Sequence, residues 1–80
     1  MRPEEVISMD PGTLGGTPVF VGTRVPVETL FDHLERGISL ADFLDDFPTV
    51  SKDQAIAVLE LAAKVLSSQK FPQFYEAAAG

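Results

Sequence analysis

The residues of this chain best suited to specific contacts fall in three groups. Ser51, Lys52 and Gln54 open a helical pattern, and the free N–H groups and dipole of a helix start favour a phosphate. Arg24 lies in Gly22-Thr23-Arg24-Val25-Pro26-Val27, just ahead of another helical pattern. A guanidinium there can hold a phosphate, or equally pair with an acid and close the loop. Phe71, Phe74 and Tyr75 place three aromatics in five positions near the end of the chain. Such a cluster suits anchoring in a partner's groove, because aromatics supply large contact area at low entropic cost. Folding back on the preceding helix is the competing use of the same side chains.

Bond-making chemistry has little to work with. A chain with one histidine and no cysteine cannot share a transition metal among soft ligands, and it has few means of assembling nucleophile, base and orienting group. No enzymatic activity, metal or cofactor is expected. His33 falls roughly 100° off the apolar stripe of its helix, which reads as a surface histidine. Asp42, Asp45 and Asp46 lack the alternating ligand loop of a calcium site and read as a solvated acidic face. Gly12-Thr13-Leu14-Gly15-Gly16-Thr17 matches neither phosphate-binding glycine pattern and reads as a loop between strands.

The elements that must carry these residues come in two regimes. Residues 1–27 are rich in Gly, Pro, Val and Thr. Val6-Ile7-Ser8-Met9 reads as a short strand ended by the turn Asp10-Pro11-Gly12, and Gly15-Gly16 supplies a further bend. Pro18-Val19-Phe20-Val21 reads as a second strand, followed by a Gly22 turn and the extended stub Val25-Pro26-Val27. Pro18 and Pro26 cannot donate to a ladder, which places these strands at edges. So small a sheet must pack on helices or pair with another copy of the chain. Val19, Phe20 and Val21 are therefore expected to form a homodimer by strand pairing.

From Val27 the apolar period changes. Val27, Leu30, Phe31 and Leu34 mark a first helix ended by Gly37. Ser39 with Asp42 opens a second, which carries Leu40, Phe43, Leu44 and Phe47 and stops at Pro48. Ser51 with Gln54 opens a third, whose apolar surface is too wide for a simple surface helix. Helices two and three flank a short turn in a helix-turn-helix pattern. The expected architecture is α+β, with short dimer-forming N-terminal strands followed by a three-helix, helix-turn-helix-like bundle. A single domain spans 1–70, with strands in 1–27 and helices in 27–68, and 71–80 forms a C-terminal aromatic tail broken by Pro72.

Charge and composition narrow the partners. Twelve acidic residues against six basic give a formal charge of −6, which opposes non-specific attraction to nucleic acid. No apolar run approaches the ~18 residues of a membrane span, and Met1-Arg2-Pro3-Glu4-Glu5 lacks the features of a signal peptide. A soluble cytoplasmic protein is expected. At 80 residues the chain buries a limited share of its surface, so oligomerisation is the expected source of added stability.

The ordered set Gly16-Thr17-Pro18-Val19-Phe20-Val21-Gly22-Thr23-Arg24-Val25-Pro26-Val27, then Gly37-Ile38-Ser39, then Phe47-Pro48 and the helix from Ser51, resembles the family called domain of unknown function 433. The resemblance spans roughly residues 5–66. It implies a small homodimer that acts as a VapB-type antitoxin of a type II toxin-antitoxin pair, with a PIN-like ribonuclease toxin as partner. On that resemblance the structured domain dimerises and binds operator DNA, a role for which the helix-turn-helix pattern offers Ser51, Lys52 and Gln54 and the turn offers Arg24. The tail, through Phe71, Phe74 and Tyr75, occupies the toxin. Two alternatives stand beside this expectation: a helix-turn-helix transcriptional regulator without a toxin partner, and a bare homodimerisation module.

Overall fold

The computed structural model describes residues 1–79. It is an α+β arrangement in which a two-stranded antiparallel sheet packs with several helices. The first helix, α1 (Pro3–Val6), is one the sequence pattern missed. Proline is tolerated in a first helical turn, and Glu4 and Glu5 favour the positive end of the helix dipole. Val6, read as the start of a strand, instead closes this turn with its side chain buried.

Strand β1 (Ile7–Ser8) pairs with β2 (Val19–Phe20), with Ile7 opposite Phe20 and Ser8 opposite Val19. The Val21 N–H extends this edge by donating to the Val6 carbonyl at 2.8 Å. On the other side of β2 the extended stub returns. Phe20 N–H donates to Val25 O at 3.0 Å, Val27 N–H donates to Pro18 O at 2.9 Å, and Val19 bridges Pro26. The turn that permits this return has Gly22 at φ +78°, a region glycine enters without steric cost. Thr23 locks it, its hydroxyl donating to Phe20 O at 2.8 Å and accepting from Val25 N–H at 3.0 Å.

Each of the three expected helices forms, with caps of the expected kind. Helix α2 (Val27–Glu35) ends in a Schellman arrangement. Gly37 at φ +79° donates its N–H to Leu34 O, and Ile38 N–H reaches back to His33 O. Helix α3 (Leu40–Asp46) starts at Ser39, whose hydroxyl oxygen accepts from the Asp42 N–H at 3.1 Å. Helix α4 (Lys52–Leu66) opens with a full capping box. Ser51 Oγ accepts from Gln54 N–H, and Gln54 Oε1 accepts from Ser51 N–H.

These elements meet in one core of Val6, Phe20, Leu30, Phe43, Val50, Ala55 and Val58. Phe20, Leu30 and Phe43 are fully buried, and each such side chain contributes roughly 1.5–3 kcal/mol on leaving water. Phe43 stands at the aromatic centre, with ring centroids 6.2 Å from Phe20 and 5.1 Å from Phe47. Among the described residues no helix is long and apolar enough to cross a membrane.

The segment expected to be a proline-broken tail is a helix, α5 (Phe71–Ala79). Pro72 lies in its first turn, where the missing N–H has no helical partner to lose. Helix α4 ends at a Ser67 cap, and Ser68 O accepts from Phe71 N–H at 3.1 Å, so a short turn redirects the chain between the two helices.

Candidate functional site

On α5 the spacing of Phe71, Phe74 and Tyr75 places all three on one side of the helix, since residues three and four apart are neighbours. The Phe71 and Tyr75 rings lie 6.3 Å apart, centroid to centroid. Phe71 is half-buried, while Phe74 and Tyr75 are 61% and 63% exposed. The helix has no extensive packing against the body. An aromatic face of this kind is solvated only while nothing covers it.

The four residues singled out for DNA divide into two pairs. Ser51 and Gln54 form the α4 cap, and Gln54 Nε2 also donates to Val21 O at 3.0 Å. Both ends of the Gln54 amide are thus engaged within the chain. Arg24 and Lys52 are exposed and have no acidic partner among the described residues. Arg24 borders an open depression with Ser8, Thr13, Thr23 and Thr49, while Lys52 begins α4.

The residues singled out for dimerisation lie elsewhere than expected. Val19 and Phe20 are 2% and 0% exposed inside their own chain. Strand β2 has neighbours on both sides, β1 on one and the 25–27 stub on the other. Pairing a second copy onto Val19, Phe20 and Val21 would displace one of these neighbours.

His33 is not the surface histidine its helical position predicts. Its side chain is 18% exposed, set edge-on against Phe43 and Phe47 with centroids 5.3 and 5.5 Å away. Nδ1 lies 2.9 Å from the Thr29 carbonyl, which can only accept, so the proton belongs on that nitrogen. Nε2 faces the Asp46 carboxylate at 3.7 Å. The signal that could have found this is the Phe43–Phe47 pair at i and i+4 on the next helix. Among the described residues no three His, Asp or Glu side chains converge as a metal site requires.

With this geometry established, comparison with known proteins places the chain. The family model described as "Protein of unknown function (DUF433)" matches residues 7–62. The chain belongs to the DUF433 family. The DUF433 match begins at β1 and ends within α4, so the aromatic helix α5 lies beyond it. Among curated relatives, the uncharacterized protein y4eO of Sinorhizobium fredii (strain NBRC 101917 / NGR234) is 36% identical over 50 residues, covering 62% of this chain. That match spans only 23% of the relative's length. No solved structure matches this DUF433 chain.

Proposed function

We propose that this chain is an antitoxin-like protein that acts as a homodimer, binding and inhibiting a PIN-like ribonuclease with α5 as its anchor. The observation that carries the reading is the α5 face, where Phe74 and Tyr75 stand more than half exposed on a helix with no extensive packing of its own. Aromatic side chains in that setting are the residues that dominate binding once a partner desolvates them. The acidity of the chain fits the same partner. A ribonuclease groove attracts polyanions, and a dimer carrying 2 × −6 = −12 formal charges is steered toward it.

A second reading adds operator DNA through the helix-turn-helix-like α3–α4 segment. It rests on Arg24 and Lys52, the two candidate cations without an acidic partner among the described residues. The test of the first reading is an RNA-cleavage assay with the purified PIN-like ribonuclease of the neighbouring gene. Wild-type chain suppresses cleavage, and the Phe74→Ala/Tyr75→Ala variant needs at least tenfold more protein to do so. Equal inhibition by both proteins rules out the anchor. A gel shift on the upstream DNA tests the second reading: binding indifferent to salt and to Lys52→Ala removes it, because phosphate contacts impose a steep salt slope.

A further inference from the structure

We infer that a second copy of this chain docks, related by a two-fold axis, on the face built from β1, the approach to β2 and the outer side of α4. Ile7, Met9, Pro18 and Leu61 form its centre, and Glu60 meets Lys64 of the second copy at its rim. The inference deepens the homodimer of the proposed function and rests on that reading.

Three observations converge on this face. First, Ile7, Met9, Pro18 and Leu61 line one shallow groove with Pro3 beside them, and Pro3 and Leu61 also border the adjoining cleft that holds Glu60 and Lys64. The groove takes in Glu4 at its edge, and the cleft sets Glu60 and Lys64 beside Met1, Val6 and Ala57, so an apolar centre is bordered by a few charged groups. Met9 is 64% exposed there, and methionine adapts readily to a facing surface.

Second, the chain exposes too much surface for its size. A folded monomer of 8.6 kDa is expected to expose about 4,700 Å², whereas this one exposes 5,733 Å². The excess, about 1,000 Å² against the ~800 Å² that each partner contributes to a standard interface, is shared between this face and the loosely packed α5 with its exposed Phe74 and Tyr75. A second copy can cover the share on this face equally on every chain.

Third, the charges are self-complementary. Glu60 and Lys64 stand one turn apart on α4 and form no ion pair within the chain among the described residues. When two α4 helices cross in opposite directions about their 61–63 region, Glu60 of each lies opposite Lys64 of the other. This is the reciprocal pairing that two-fold symmetry demands. Strand β2 is closed on both sides, whereas this face offers apolar side chains for burial by a second copy.

Light scattering and sedimentation equilibrium on the full chain test the inference. The expected mass is twice 8.6 kDa. Met9→Glu, a change at an exposed side chain, weakens dimerisation at least tenfold while the circular dichroism stays native. Glu60→Lys and Lys64→Glu each weaken it, and the double variant, which recreates the complementary pair, recovers most of the loss. A monomeric wild type, a Met9→Glu dimer of unchanged affinity, or a double variant no better than its singles overturns the inference. A monomeric chain that still inhibits the ribonuclease overturns this interface alone. A dimer that behaves as expected here but fails to inhibit overturns the antitoxin reading alone.

Discussion

Gln54 joins the two regimes of the molecule: its Nε2 donates to the Val21 carbonyl oxygen 3.0 Å away, across 33 positions of sequence, while its Oε1 accepts from the N–H of Ser51. One side chain therefore caps α4 and holds the hairpin against it. Gln54→Ala removes both functions and lowers unfolding free energy by about 1–2 kcal/mol. Gln54→Glu keeps an acceptor for the cap but has no donor for Val21, and loses a smaller amount. Urea titrations followed by circular dichroism separate the two, and equal losses would assign the whole effect to the Val21 bond.

The His33 ring is wedged between Phe43, Phe47 and the Thr29 carbonyl. Two edge-on aromatic contacts, each of about 0.5–1.5 kcal/mol, are lost in His33→Ala, which lowers the melting temperature by several degrees. His33→Phe retains ring contacts and loses less. The Asp46 carboxylate is 62% exposed, so Asp46→Asn changes stability by less than about 0.5 kcal/mol. A large Asp46→Asn effect in differential scanning calorimetry would show that the contact with the carboxylate, rather than the ring packing, holds the histidine.

Gly37 has open space where a Cβ would stand, and its φ is +79°. The cost of a side chain there is therefore backbone strain alone, with no clash against a neighbour. Gly37→Ala destabilises by about 1–2 kcal/mol, and Gly37→Asn by less, since asparagine tolerates the left-handed region. Identical losses for the two variants, measured by chemical unfolding, would contradict this.

Removing the chain after Ser68 deletes α5, whose packing on the body is slight. The unfolding free energy of the remainder stays within about 0.5 kcal/mol of wild type, while inhibition of the ribonuclease is lost. A marked drop in stability would mean that α5 belongs to the core and is not held ready for a partner.

Much of this architecture is legible in sequence wherever the deciding interaction is local. Ser39 with Asp42 and Ser51 with Gln54 announce helix starts because cap donor and acceptor lie within one turn, and Gly37 marks its helix end for the same reason. Local reasoning fails where a distant neighbour decides. His33 is drawn inward by rings on α3, and Val19 and Phe20 become central when Val25–Val27 folds back beside them. Pro72 misleads differently: proline breaks a helix in its interior but not in its first turn, and the sequence alone does not say which position it holds. For the candidate site, residue types were readable and exposure was not. Gln54 has its amide engaged by Ser51 and Val21 within the chain, and the exposed Met9–Leu61 groove has no signature along the chain.

The closure of β2 on both sides has a consequence for the chain's behaviour at high concentration. Val19-Phe20-Val21 is the most β-prone and uncharged run of the sheet, the kind of segment that templates fibrous stacking when its backbone groups are unpaired. In the native fold its N–H groups at Phe20 and Val21 already have partners in Val25 and Val6. The Gly22-Thr23 turn thus acts as a safeguard against aggregation: it holds Val25–Val27 over one edge of this run, and loosening it would free the Phe20 N–H and the Pro18 carbonyl for another chain.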